Sequence, residues 1–126
     1  MKRPFKFTER IRSFSFAFSG IKTMFISQHN VWIHATATIV VILAALFFCV
    51  SPLEWCVLVV AIVAVWIAEA FNTAFEFLAD LVSSEFHPLV QQAKDIAAAA
   101  VLIAALGAVV LGVIIFVPYI IAMFEK

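Results

Sequence analysis

Four polar side chains in the stretch from Trp66 to Asp80, WIAEAFNTAFEFLAD, are of types that do chemistry: Glu69, Asn72, Glu76 and Asp80. They recur at spacings of three, four and four residues. At about 100° per residue on an α-helix, that spacing draws one narrow stripe. The other faces are dominated by Ala, Phe and Leu, and the stretch prolongs an apolar run long enough to cross a membrane. Carboxylates at membrane depth are costly, so such a stripe reads first as functional. A carboxylate there can take a proton from a hydroxyl, or it can hold a hard cation together with neighbouring oxygens. The blander alternative is a stripe that glues helices together or faces a water-filled crevice.

The elements that must position this stripe follow from composition. The chain has 126 residues, 66% of them hydrophobic and 13% charged, with a mean hydropathy of +1.15. Soluble domains average about 45–50% apolar and about 25% charged residues, so this is an integral membrane protein. The length fits three spans of about 20 residues each and no soluble domain beside them: one membrane domain over residues 1–126. Lys2, Arg3, Lys6, Arg10, Arg12 and Lys22 are six of the eight bases, which points to a cytoplasmic N-terminus. No compact apolar core with a small-residue cleavage site follows them, as a signal peptide would require. Cys49 and Cys56 flank one short loop; two cysteines make no disulfide framework and read as small apolar residues. The three glycines, Gly20, Gly107 and Gly112, are scattered, which excludes a Walker A loop or a GxGxxG turn.

Along the chain, Phe7, Ile11, Phe14, Phe18, Ile21 and Phe25 recur every three or four residues. The spacing predicts a helix over 5–27 with a continuous apolar face, flanked by Arg10 and Lys22. It reads as an amphipathic helix lying in the membrane interface, its bases toward anionic headgroups. Phe16 points away from that face, either as an exposed aromatic or as a platform for a bound base. Gln28, His29 and Asn30 end this helix, and residues 31–50 form the first span. His34 lies one turn inside it and reads as hydrogen-bonded packing. Ser51 and Pro52 break the helix, with Glu54 and Trp55 at the outer interface. The second membrane helix, 53–82, is roughly 45 Å long at 1.5 Å per residue. Measured from Trp55, Glu69 lies about 21 Å along it and Glu76 about 31 Å. Against a hydrocarbon core of about 30 Å, Glu69 falls just inside the cytoplasmic boundary and Glu76 at it. Residues 83–92 form a cytoplasmic loop, and Pro88 is placed to open the third membrane helix, 89–122.

The polar groups gathered at that face are Gln28, Glu69, Asn72, Glu76, Asp80, Glu85, His87, Lys94 and Asp95. There is no Ser-His-Asp arrangement and no zinc-ligand spacing. An oxygen-rich set with one lysine suits Mg²⁺, which takes one or two carboxylates and completes its shell with water and phosphate. Lysine neutralises phosphate oxygens as a compact charge. Phosphoryl transfer needs mainly positioning and charge stabilisation, and this set can supply both. A proton-linked carrier can use similar parts.

The segments EAFNTAFEFLAD (69–80), SEFHPL (84–89) and AKDIAAAAVLIAAL (93–106) resemble the prokaryotic diacylglycerol kinase family, which includes undecaprenol kinases. The resemblance runs from about Arg10 to Tyr119. It implies an all-α membrane fold of three transmembrane helices plus an N-terminal surface helix, assembled as a homotrimer with active sites shared between protomers. It implies an ATP- and Mg²⁺-dependent kinase of a membrane lipid alcohol in the bacterial cytoplasmic membrane, its site facing the cytoplasm and no nucleic acid among its partners. Glu69 then matches the proton acceptor, with Asn72 and Ala98 on the lipid-substrate side. Glu76 matches a ligand of metal and nucleotide. Glu85, Phe86, His87, Lys94 and Asp95 match nucleotide contacts, and Phe16 joins them as the base platform.

Three positions depart from the family pattern. Gln28 stands where a Glu often serves as second metal and nucleotide ligand; an amide oxygen reaches a cation but brings no charge. Trp32 stands where a base is usual. A gap-free match of the nucleotide-contacting arginine lands on Glu9, with Arg10 one residue away. The tail GVIIFVPYI and the loop FHPL look more like the undecaprenol kinase branch. The rival expectations are a degenerate, non-enzymatic membrane protein, should Gln28 abolish metal binding, and a proton-coupled carrier.

Overall fold

The computed structural model describes residues 7–82 and 87–125. Those residues form four helices and no strand: α1 (Phe7–Ser27), α2 (His29–Phe47), α3 (Pro52–Val82) and α4 (Pro88–Phe124). The last three are each long and apolar enough to cross a membrane. The all-helical membrane architecture expected from composition is therefore the one observed.

The turns follow from local chemistry. Gln28 adopts an extended backbone (φ −120°, ψ 119°) at the N-cap of α2, which separates α1 from α2. The first span stops at Phe47, short of Val50, because Cys49 takes a left-handed φ of 51°. The Cys49 amide then donates to the Leu46 carbonyl and the Val50 amide to the Ala45 carbonyl, each at 3.2 Å. This paired pattern satisfies carbonyls that the helix end leaves open, and it packs the residue after the turn against the last helical turn. Val50 and Ala45 duly share one buried cluster. Across the turn, the Ser51 amide donates to Glu54 Oε2 at 2.7 Å and the Glu54 amide reaches Ser51 Oγ at 3.4 Å. That reciprocal cap, with Pro52 as first helical residue, starts α3. At α4, Pro88 again opens the helix and the Leu89 amide donates to His87 Nδ1 at 3.3 Å.

The long helices run antiparallel in a fixed register. At the far end, Tyr119 Oη donates to Glu54 Oε2 at 2.8 Å, beside a core of Ala45, Val50, Leu58 and Ile115 sealed by Phe48, Trp55 and Phe116. At the near end, Lys94 Nζ meets Asp80 Oδ1 at 2.7 Å. These two contacts are 26 residues apart on α3 and 25 on α4, so the pair does not slip. Helix α2 follows the same logic: Trp66 Nε1 donates to Thr38 Oγ1 at 3.1 Å, and one turn on, His34 lies beside Glu69.

Helix α1 docks through the C-terminal end of its phenylalanine stripe and the residues flanking it. Met24 is buried, and Phe25 packs edge-on to Trp32 at 5.3 Å between ring centroids and against Trp66 at 5.8 Å. Ala17, Gly20 and Ile21 line a gap toward Ala70, Thr73 and Ala74 of α3. Phe14, Phe18 and Ile21 remain exposed, as an interfacial helix requires of the face it turns to lipid.

A residue with a side chain in the left-handed region carries a steric cost that glycine escapes. Cys49→Gly is therefore expected to stabilise the protein by about 1 kcal/mol, read as a raised thermal midpoint in detergent. A lowered midpoint would show that the Cys49 side chain is itself an anchor.

Candidate active site

Burial grades along the α3 stripe as depth does. Glu69 is fully enclosed, at 0% exposure, and Asn72 is buried at 5%. Glu76 is half-buried and Asp80 exposed. One chain suffices to enclose the two deepest members. The physical reason is the register: α2 passes beside α3 at this level and α4 closes the other side.

Glu69, Asn72 and Glu76 line one cleft of about 270 Å³ with Asn30, Ile33 and His34 of α2 and Ala98, Val101, Leu102 and Ala105 of α4. His34 Nε2 lies 3.8 Å from Glu69 Oε2, with the His34 side chain 15% exposed. Neither carboxylate oxygen of Glu69 has a hydrogen-bond partner, and neither has Asn72 Oδ1. Such groups cost about 1–3 kcal/mol each when left unsatisfied, and their convergence on one cleft marks where a ligand belongs. Thr73 Oγ1 donates to the Glu69 backbone carbonyl at 2.9 Å and leaves the carboxylate free.

Glu76 sits between two amides. Gln28 Nε2 donates to its Oε2, and Asn72 Nδ2 donates to its Oε1 at 3.2 Å. The structure thus joins Gln28 to Glu76 across 48 residues of sequence. An amide turned about its own axis offers its oxygen where it now offers NH₂. Among the described residues, no three His, Cys, Asp or Glu side chains gather as a metal site. One carboxylate and the two neighbouring amides of Gln28 and Asn72 do fit a hard cation that brings phosphate oxygens with it.

The other candidates are spread more widely. Lys94 is held by Asp80, one turn beyond Glu76. Asp95 Oδ1 accepts from Gln91 Nε2 at 2.8 Å, and His87 caps α4. Phe16 is exposed on α1 and is not among the residues lining the cleft. Glu85 and Phe86 lie outside the described residues, as does the Arg10 side chain. Two features escaped the sequence reading. A packing role for His34 does not anticipate its place 3.8 Å from Glu69, although a polar residue on the antiparallel neighbour at that depth is a usable signal. Thr38 carried no such signal until Trp66 was placed against it.

A family model described as prokaryotic diacylglycerol kinase matches residues 15–116. The chain is 34% identical over 107 residues to the undecaprenol kinase of Bacillus subtilis (strain 168), covering 85% of this chain and 87% of that protein. It is 38% identical over 107 residues to a diacylglycerol kinase of Synechocystis sp., covering 84% of this chain and 61% of that longer protein. It is 30% identical over 104 residues to the diacylglycerol kinase of Escherichia coli (strain K12), covering 82% of this chain and 85% of that one.

The Gln28–Glu76 contact yields a test that needs no turnover. Gln28→Glu sets two carboxylates against each other and forfeits a hydrogen bond to a charged group, a loss of about 1.5–3 kcal/mol. In chelator its thermal midpoint should fall below wild type, and Mg²⁺ should restore it. Equal midpoint changes with and without Mg²⁺ would show that no cation reaches Glu76.

Proposed function

The chain belongs to the prokaryotic diacylglycerol kinase family, and we propose that it transfers the γ-phosphoryl group of ATP, with Mg²⁺, to the hydroxyl of a membrane lipid alcohol, diacylglycerol or undecaprenol. The observation that carries this reading is the enclosed, unpaired carboxylate of Glu69 at a cleft whose mouth holds Glu76 and Gln28. An apolar groove of about 290 Å³ continues from that cleft, sharing Ile33, His34 and Ala105 and running past Val41, Ile62, Val65 and Val109. A hydrocarbon chain lying there carries its hydroxyl into the cleft.

In this reading Glu69 is the general base. Asn72 Oδ1 lies unpaired on the same wall and orients the hydroxyl, while the small Ala98 opposite leaves room for it. Glu76 and Gln28 hold the cation, which when bound supplies positive charge against the phosphate oxygens. Lys94 leaves Asp80 for the nucleotide phosphates, and Asp95, His87, Glu85, Phe86, Arg10 and Phe16 make up the nucleotide side. The basic N-terminal segment supports a cytoplasmic orientation of this site, and the family resemblance supports the bacterial inner membrane. The family resemblance supports a homotrimer with sites shared between protomers.

Purified protein given labelled ATP and each lipid in turn should label at least one of them. Glu69→Gln should lower turnover by about 10²–10⁴-fold with nucleotide binding intact. No lipid labelled by wild type would end the kinase reading, and near-normal turnover in Glu69→Gln would end the assignment of the base.

Sharing of sites is tested by mixing. Glu69→Gln and Lys94→Ala protomers, each inactive alone, should regain part of the activity when co-assembled. Mixtures that stay inactive would place both groups on the same protomer.

A further inference from the structure

A base sealed from water poses a problem of turnover. Glu69 has 0% exposure, so a proton taken from a substrate has no direct way to solvent. The group beside it is His34, at 3.8 Å and on the neighbouring helix. Its side chain is partly exposed, at 15%, and it lines both the polar cleft and the apolar groove. Among the described residues, the other titratable group on this cleft is Glu76 of α3, which already accepts two hydrogen bonds. From α4 the cleft receives only Ala98, Val101, Leu102 and Ala105.

We propose that His34 is a second proton carrier of the reaction, taking the proton from Glu69 and passing it to the water of the cleft. The proposal rests on Glu69 being the base. In the first step the lipid O–H bond breaks and its proton goes to the Glu69 carboxylate. The lipid oxygen bonds to the γ-phosphorus as the bond from that phosphorus to the β–γ bridging oxygen breaks, leaving ADP. In the second step the carboxyl O–H bond of Glu69 breaks and an N–H bond forms at His34 Nε2. The imidazolium then gives its proton to water, and both groups return to their starting forms. Proton transfer works at hydrogen-bonding distance or through one water, and such contacts are often long before substrate is bound. The 3.8 Å separation falls within that description.

A carrier and a packing residue differ in what replaces them. His34→Gln keeps a polar side chain of similar reach but has no basic nitrogen. It should lower kcat by about tenfold or more while leaving KM for ATP unchanged. His34→Ala opens a gap beside Glu69, and added imidazole should restore kcat there but not in His34→Gln, whose side chain fills the gap. Nucleotide binding by each variant reports that it is folded. Wild-type kcat in His34→Gln overturns the proposal. So does a loss in folded His34→Ala that imidazole leaves unrestored. Glu69→Gln, assayed alongside, keeps the two readings apart. If it is inactive while His34→Gln is normal, only the carrier fails; if it is itself normal, the base assignment fails and the carrier with it.

Discussion

The structure is organised around an enclosed carboxylate without a hydrogen bond. Glu69 sits at membrane depth on α3 with both oxygens unpaired, a condition that opposes folding and persists only because its surroundings are held by other means. The holding is done away from the site. A tight turn and a capped helix start fix α2 to α3, a tyrosine on α4 hydrogen-bonded to Glu54 fixes α3 to α4 at one end, and an ion pair fixes them at the other. With both neighbours locked in register, the space beside Glu69 cannot collapse, and His34, Asn72 and Ala98 are left facing one another across a cleft. Unsatisfied polarity of this kind is where rule-abiding packing is expected to yield to function.

Much of this was legible in the residues. The stripe could be read because helical periodicity places residues three and four apart on one face whatever surrounds them. The spans could be read because hydrocarbon tolerates little else. The turns were partly legible: Ser51, Pro52 and Glu54 form a local signal for a helix start, whereas the left-handed Cys49 carries none, since glycine is the usual occupant of that conformation. The docking face of α1 was only partly legible, because the phenylalanine stripe is the stronger pattern and yet only its end, Phe25, meets the protein together with Met24 and the small residues Ala17 and Gly20 on the stripe's flank.

What could not be read from periodicity is any contact between elements. Gln28 and Glu76 are brought together by the end of one helix and the middle of another, and only the family resemblance suggested the meeting. The pairing of His34 with Glu69 depends on how many residues the turn between α2 and α3 consumes. Once Thr38 and Trp66 are known to touch, one helical turn along both helices arrives at His34 and Glu69. A single contact would have converted a packing residue into a neighbour of the base.

The unequal lengths of the helices have a consequence for the lipid environment. Helix α2 has 19 residues, about 28 Å at 1.5 Å per residue, close to the thickness of a hydrocarbon core of about 30 Å. Helix α3 has 31 residues and α4 has 37, and their surplus carries Asp80 and Lys94 beyond the apolar slab. A bilayer of another thickness meets a pair pinned at both ends, which can answer only by tilting as one body. The short helix has no such surplus, so tilt carries His34 and Glu69 together toward or away from the headgroups. The level at which a hydroxyl must present itself is thus coupled to hydrophobic mismatch, and membrane thickness becomes a mechanical input to the cleft.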